Sequence, residues 1–141
     1  MALIAAILLS AFAGREWPDG LEPVAYAVGG IVVAAGVALL AAGALGLGAA
    51  LTPYPAPRSG GELRTAGVYG VVRHPMYGGG ILIALGWSVL FATLVGFALT
   101  VVLAVFGDLK SRREELWLEQ HHPDYGEYRR HVRHRLIPFV W

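Results

Sequence analysis

The chain has 141 residues, of which 56% are hydrophobic and only 15% are charged. Soluble domains usually carry about 25% charged residues, so the composition is that of a single membrane domain. The formal net charge of +1 gives no nucleic-acid signal, and the absence of cysteine excludes disulfides, thiolate metal ligands and a cysteine nucleophile.

The N-terminal half predicts two apolar helices joined by a polar turn. Residues 2–14 are apolar but short, and they lack the basic leading region of a secretory signal peptide, so we expect a retained helix. The turn at residues 15–23 carries three acids against one base, and a tryptophan suited to a membrane interface. Residues 24–51 carry no charge and are long enough to span a bilayer with some tilt.

Small residues recur at every fourth position of the second helix. Such a stripe lets another helix approach closely, which is how helices associate where the hydrophobic effect is absent. The alternative is that alanine and glycine are simply common in this chain, but the helical period favours a packing face. The stripe consists of Gly30, Ala34, Ala38, Ala42, Gly46 and Ala50.

Two basic clusters flank the next apolar run and predict that it is a hairpin. Residues 52–75 carry three arginines against one glutamate, which indicates a cytoplasmic loop by the positive-inside rule. The uncharged run at 78–107 then ends before Lys110, Arg112 and Arg113. A single span would place one basic cluster outside, whereas a hairpin with its turn near residues 92–96 keeps both inside.

The predicted fold is an all-α integral membrane protein with about four transmembrane helices. They lie at residues 2–14, 24–51, 75–92 and 96–121, the last two form the hairpin, and a helical C-terminal extension follows on the cytoplasmic side. The arginines and aromatic residues of this tail suit an anionic cytoplasmic leaflet. We expect one domain over residues 1–141, with both termini and the active site cytoplasmic and with site segments at 60–80 and 108–138.

The polar residues with the most chemistry stand at the two ends of the hairpin. Gly67–Gly80 reads GVYGVVRHPMYGGG, and Lys110–Glu115 reads KSRREE. The hairpin predicts that the segment 69–77 and Glu114 are neighbours in space. Adjacent glutamates on a helix point about 100° apart, so we expect one to contact a ligand and the other to orient an arginine or a tyrosine. The glycines at 78–80 either receive an anion on free N–H groups or serve close helix packing.

Several other functions have little support in the sequence. No serine or threonine has an evident base beside it, which argues against nucleophilic hydrolysis. The histidine pairs at 121–122 and 131–134 lack further ligands at suitable spacing, so we expect no metal site. No GxGxxG motif follows a predicted strand, which argues against a Rossmann nucleotide-binding site. A small transporter is disfavoured because no ionisable residue lies within 24–51 or 78–107, and a structural or assembly subunit remains an alternative.

Four segments together resemble the isoprenylcysteine carboxyl methyltransferase family, which is related to the membrane phospholipid N-methyltransferases. They are the stretch from Gly67 to Gly78, the Arg113-Glu-Glu115 triplet, Tyr125-Gly-Glu-Tyr128 and Leu136-Ile-Pro138. The resemblance covers residues from about 60 to 139, and the combination of Arg-His-Pro-x-Tyr with a downstream glutamate pair is specific.

The resemblance implies S-adenosylmethionine as the methyl donor, bound at the cytoplasmic face. The implied cofactor-binding residues are Gly61, Glu62, Leu63, Arg64, Tyr69, His74, Pro75, Met76, Tyr77 and Glu114. The implied catalytic residues are Arg73, Glu114 and Glu115, and a basic residue, Lys110 or Arg112, would bind the substrate. The chemistry is compatible, because Arg73 suits the carboxylate of this cofactor, Glu114 suits its ammonium group or ribose, and tyrosine faces suit its sulfonium or adenine.

The resemblance also implies a membrane-dissolved, lipophilic acceptor. A carboxylate acceptor needs no general base, so carboxylate O-methylation fits best. Only two predicted helices precede the motif, so we expect the surface that selects the substrate in larger members of the family to be reduced or absent. The acceptor could therefore also be an amine, a thiol or a phospholipid.

Overall fold

The computed structural model describes residues 2–48 and 63–141, and within these ranges every regular element is helical. The only bridge of strand type in this part of the chain is an isolated parallel pair between Val72 and His134. The helices are α1 (Ala2–Leu9), α2 (Glu22–Leu47), α3 (Pro75–Leu90), α4 (Leu94–His121) and α5 (Tyr125–His131), with 3₁₀ turns at Ser10–Ala13 and Gly67–Gly70.

The helix ends differ slightly from those predicted. The first helix is α-helical only to Leu9 and continues as a 3₁₀ turn to Ala13. Helix α2 begins at Glu22 and ends at Leu47, while residues 49–51 of the predicted span lie outside the described residues.

The apolar run at 78–107 is broken by a turn at residues 91–93. Ala92 has a φ of 46°, in the left-handed region, which ends α3. The hydroxyl of Thr93 then accepts a hydrogen bond of 3.2 Å from the backbone N–H of Gly96, as expected of a residue that caps a helix start. The run therefore forms two helices, α3 and α4, as the hairpin prediction requires, and not one long helix.

Helices α2 and α4 are both long and apolar enough to cross a membrane. Residues 2–13 and α3 form shorter apolar helices. Large apolar side chains are exposed along α2 and the first half of α4, as lipid-facing surfaces require. Helices α2 and α4 therefore have the character of membrane helices.

The described residues fall into two compact units. Unit 1 comprises residues 2–38 and 79–106. In it, the indole N–H of Trp17 donates to the carbonyl of Val89 at 2.8 Å, which ties the polar turn to the end of α3. The hydroxyls of Ser88 and Thr100 lie 3.3 Å apart and join α3 to α4.

The packing face of α2 in unit 1 is not the predicted stripe. Gly30, Ala34 and Ala38 are exposed, whereas Gly29 and Gly36 are buried against α3. A Cβ on Gly36 would lie 2.8 Å from the carbonyl oxygen of Gly79, so the backbones touch there.

The prediction failed because a four-residue step advances about 40° around an α-helix, so the stripe winds off any one face. A seven-residue step drifts by only about 20°, so residues seven positions apart stay on one face of the helix. Gly29, Gly36 and Gly43 form such a seven-residue set. The same difference holds further along α2, where Ala42 is exposed and Gly43 is buried. Of the remaining predicted positions, Gly46 contacts Tyr69, and Ala50 lies outside the described residues.

Unit 2 comprises residues 39–48, 63–78 and 107–141, and it contains the polar residues singled out above. Its core includes Val72 and Leu136, both fully buried. Gly78 lies directly on the backbone of the tail, since a Cβ there would overlap the carbonyl oxygen of Leu136. The N–H of Gly78 is already bonded to the carbonyl of His74 at 3.2 Å. Close packing, and not anion binding, therefore explains this glycine.

Candidate functional site

The backbone around Arg73 and His74 is fixed by the C-terminal tail. The N–H of Arg73 donates to the carbonyl of His134 at 3.0 Å, and the N–H of His74 donates to that of Arg135 at 2.8 Å. Helix α3 then begins at Pro75, where a residue without an N–H costs nothing because the first helical N–H groups have no partner in the helix. The two side chains before α3 are thereby held at its entrance.

Helix α4 brings the two glutamates to this entrance, as the hairpin predicted. The carboxylate oxygen Oε1 of Glu115 accepts a hydrogen bond of 2.8 Å from Nε of Arg73 and lies 3.2 Å from Nε2 of His74. Glu115 is 4% exposed. A carboxylate buried to this degree is stable only when it is paired, and here it is paired with residues from the opposite segment.

Glu114 is in a different state from its neighbour. Its Oε1 accepts a hydrogen bond of 2.5 Å from the phenol of Tyr77, and its Oε2 lies 3.6 Å from Nδ1 of His74. The Glu114 side chain is 22% exposed, against 5% for Glu115. The predicted proximity of Glu114 to the segment 69–77 is therefore confirmed, and Glu114 is the more accessible of the two acids.

The guanidinium of Arg73 is committed to protein partners. Besides Glu115, its Nη1 donates to the carbonyls of Val132 at 2.5 Å and Arg133 at 2.9 Å. The side chain is 6% exposed. Arg73 thus connects α4, the entrance of α3 and the tail.

Two tyrosines of the site form a chain of hydrogen bonds. The phenol of Tyr69 donates to the carbonyl of Gly43 at 3.2 Å, and the phenol of Tyr128 donates to the carbonyl of Tyr69 at 2.7 Å. Burial, reinforced by the charge of Glu114, raises the pKa of Tyr69 to about 12. Burial likewise raises the pKa of Tyr128 to about 12, so both phenols remain protonated donors at neutral pH.

Tyr125 differs from the other tyrosines because its buried hydroxyl has no hydrogen-bond partner among the described residues. The residue is 1% exposed, and burial, followed by the charge of Glu115, raises its pKa. Its ring lies 5.7 Å from that of Tyr128. A buried hydroxyl in this state is available to a ligand or a water molecule.

The two candidate substrate-binding residues face different partners. The ammonium of Lys110 lies 5.3 Å from the centre of the Tyr77 ring, a cation–π distance. Arg112 instead donates from Nε to Asp108 at 2.6 Å and is 60% exposed. Of the two candidates, Lys110 therefore lies closer to the glutamate site, because its neighbour Tyr77 contacts Glu114.

The remaining predicted site residues lie as follows. Gly61 and Glu62 are outside the described residues, Leu63 is half-buried and Arg64 is exposed. Pro75 and Met76 lie against the backbone of α2, since a Cβ on Gly43 would come within 3.0 Å of both side chains.

The sequence analysis placed the tail among the site segments, but it did not indicate which contacts the tail supplies. Val132 and Arg133 supply carbonyl acceptors, and Arg135 lies 3.4 Å from Glu115 through Nε while its Nη1 donates to Asp108 at 2.8 Å. The tail was interpreted as a membrane-surface helix. Leu136 within this basic segment is fully buried, so this stretch packs on the protein.

Comparison with known proteins identifies the family. Residues 24–125 match the phospholipid methyltransferase family, and the chain belongs to that family. The chain is also 33% identical over 86 residues to a Mus musculus protein named Delta(14)-sterol reductase, a match that covers 59% of this chain and 21% of the mouse protein. The match thus spans only about a fifth of that relative's length.

Proposed function

We propose that this protein is a membrane methyltransferase that uses S-adenosylmethionine and methylates a carboxylate on a lipophilic acceptor. The observation that carries the proposal is the unequal state of the two adjacent glutamates. Glu115 is enclosed and neutralised by cations, whereas Glu114 is partly exposed and bonded to the neutral phenol of Tyr77. A partly exposed carboxyl group beside aromatic rings suits a cationic ligand.

The described residues fit S-adenosylmethionine in their donor chemistry. Glu114 would hold the ammonium group or the ribose hydroxyls. The rings of His74 and Tyr77, stacked with centres 5.8 Å apart, offer an aromatic edge to the sulfonium or the adenine. The unpartnered hydroxyl of Tyr125 supplies a further hydrogen-bonding group. When bound, this cofactor supplies a methyl group activated by the positive charge on sulfur.

The contacts of Arg73 and Glu115 favour a positioning role for both residues. Each is buried and bonded to protein groups, and together they hold His74 in place beside Glu114. Of the acids and bases proposed as catalytic, Glu114 is then the one that contacts the donor. Tyr69 would contribute through the position of its backbone, because its phenol is bonded to α2.

Lys110 is the better candidate for binding an anionic acceptor. It lies over Tyr77, while Arg112 is engaged with Asp108. An acceptor carboxylate is already nucleophilic at neutral pH, so no side chain has to remove a proton before the methyl group is transferred. A reaction that needs no general base fits a site in which both glutamates already have hydrogen-bond partners.

Binding of the donor tests the proposal directly. We expect calorimetry on the detergent-purified protein to detect S-adenosylhomocysteine, and we expect Glu114→Ala and His74→Ala to weaken its binding at least about tenfold. Glu119→Ala is the matched control, because Glu119 is an acid on the same helix that pairs with Arg129 outside the site. Folded wild-type protein that fails to bind would contradict the proposal.

The nature of the product tests the acceptor class. With a donor labelled in its methyl group and total membrane lipid as acceptor, carboxylate methylation yields an ester that releases labelled methanol in mild base. Label that stays non-volatile after base treatment, in the lipid or in a water-soluble head group, would indicate an amine or a thiol instead, and would favour phospholipid-type N-methylation or S-methylation. Co-purified lipid identified by mass spectrometry would name the acceptor.

The topology is part of the proposal. Four spans with both termini and the site on the cytoplasmic side follow from the positive-inside rule, and they require that the two shorter apolar helices also cross. The natural chain has no cysteine, so single cysteines can be introduced and labelled in vesicles of known orientation. We expect Asp19→Cys to be labelled from outside, and Arg64→Cys and Arg130→Cys from the cytoplasmic side. Labelling of Arg64→Cys from outside would contradict this topology.

A second candidate is reduction of a lipophilic substrate, because the matched mouse protein is named a sterol reductase. Such a reaction needs a hydride donor, and a reduced nicotinamide dinucleotide is the usual one. Titration with this dinucleotide and with S-adenosylhomocysteine separates the two candidates. If the protein binds the dinucleotide and not S-adenosylhomocysteine, reduction becomes the favoured function and methyl transfer is contradicted.

A further inference from the structure

A row of alternating charges runs from α4 through the tail to the glutamate pair. Asp108 accepts hydrogen bonds from Arg112 at 2.6 Å and from Nη1 of Arg135 at 2.8 Å. Nε of Arg135 lies 3.4 Å from Oε1 of Glu115. One guanidinium of the tail thus lies between two carboxylates of α4.

The same oxygen of Glu115 faces three cationic or polar donors. Arg73 and His74 approach it from the segment before α3, and Arg135 approaches it from the tail. Arg135 is 23% exposed and Asp108 15%, so neither is a freely solvated surface charge. The hydrogen bond from Arg135 to Asp108 is therefore stronger than an exposed one, whereas Nε of Arg135 meets Glu115 as a charge contact without a hydrogen bond.

Glu115 and Glu114 face the two ring nitrogens of His74. His74 lies with Nε2 at 3.2 Å from Glu115 and with Nδ1 at 3.6 Å from Glu114. Without Arg135, the charged and polar partners of Glu115 would all come from the segment before α3, and its carboxylate would be free to turn toward Arg73. The imidazole would then lose the partner that aims its other nitrogen at Glu114.

We propose that Arg135, held in place by Asp108, is a positioning residue that fixes Glu115 and through it the His74–Glu114 pair of the donor site. The inference rests on the proposed function, because it assigns Arg135 a part in binding the methyl donor. Arg135 itself need not touch the donor.

The test is a comparison of affinities for S-adenosylhomocysteine by calorimetry, at a temperature where circular dichroism shows each variant folded. Arg135→Gln should weaken binding about tenfold, and Asp108→Asn should weaken it in the same direction by less. Arg135→Lys should not restore affinity, because one ammonium cannot reproduce the planar guanidinium that lies between the two carboxylates. If Arg135→Gln does not fold, Asp108→Asn carries the test.

Arg129→Gln is the matched control. Arg129 also joins the tail to α4, through Glu119, but its ion pair is exposed and lies apart from Glu115. This variant should bind with wild-type affinity. An equal loss in Arg129→Gln would show a general effect of loosening the tail, and would overturn the proposal.

A double variant separates positioning from a structural role. Since Arg135 acts through His74, Arg135→Gln should cost little further affinity, less than about twofold, in a His74→Ala background. Fully additive losses, or wild-type affinity in Arg135→Gln, would overturn the inference while leaving the proposed function intact. Wild-type protein that binds no S-adenosylhomocysteine would contradict the proposed function itself.

Discussion

The phenol of Tyr77 donates a 2.5 Å hydrogen bond to the carboxylate of Glu114, across 37 positions of the sequence. This contact joins the start of α3 to the cytoplasmic end proposed for α4. It also leaves the Glu114 carboxyl group bonded to a neutral phenol and still partly exposed to a ligand. The geometry of the whole candidate site depends on this pair and on the neighbouring pair of Arg73 and Glu115.

Removal of the Tyr77 hydroxyl should weaken donor binding and leave the fold intact. We expect Tyr77→Phe to lower the affinity for S-adenosylhomocysteine about tenfold, because a hydrogen bond to a charged group is lost while the ring stays in place. Calorimetry measures the affinity, and Tyr26→Phe, at an exposed tyrosine of α2, is the control. Unchanged affinity in Tyr77→Phe would show that this pair does not shape the donor site.

Neutralising either glutamate should weaken donor binding, but only Glu115→Gln should also cost much stability. Glu115→Gln leaves Arg73 buried without its carboxylate, so we expect a loss of about 3 kcal/mol in the free energy of unfolding. Glu114→Gln removes a partly exposed charge and should change stability little, yet weaken donor binding strongly. Denaturant unfolding in detergent, read beside calorimetry, gives both quantities. Equal destabilisation by the two variants would contradict the distinction drawn between the acids.

The sequence predicted the pairing of the two polar segments and placed the tail in the site, but it did not predict the individual contacts that the tail makes. The pairing followed from one break in an apolar run and from the charges at its ends, since a hairpin brings its ends together. The contacts of Val132, Arg133 and Arg135 with the site leave no periodic pattern, because they come from a segment without regular structure beyond α5. Long-range packing of irregular backbone has no local signature.

The packing face of α2 illustrates a second limit. Both the four-residue stripe with Gly30 and the seven-residue set with Gly36 are present in the sequence. Which set lies against another helix depends on the rotation of α2 about its own axis, and that rotation is set by partners such as Ile83. The composition of the helix alone does not determine it.

Two glycine substitutions should distinguish a glycine that close packing requires from one that packing does not require. Gly78→Ala places a methyl group on the carbonyl of Leu136, so we expect a loss of about 1–3 kcal/mol in stability as the tail is displaced. Gly30→Ala meets no atom within 4 Å inside α2, so it should not destabilise the protein and could stabilise it by up to about 1 kcal/mol through the better helix propensity of alanine. Thermal unfolding of both variants in the same detergent makes the comparison. Tolerance of alanine at position 78 would mean that the tail does not rest on α3 as described.

Alkaline pH should reveal the buried phenol of Tyr128. Burial raises its pKa from 10.0 to about 12, so the folded protein holds this proton more tightly than the unfolded chain does. The resulting stabilisation is present in full below pH 10.0 and is lost as the pH rises through about 12. Tyr128→Phe lacks this contribution and the bond to the Tyr69 carbonyl. We therefore expect the gap in unfolding temperature between wild type and Tyr128→Phe to narrow between about pH 9 and pH 11.5. Thermal unfolding across that range measures the gap, and a constant gap would contradict the burial of a protonated phenol at this position.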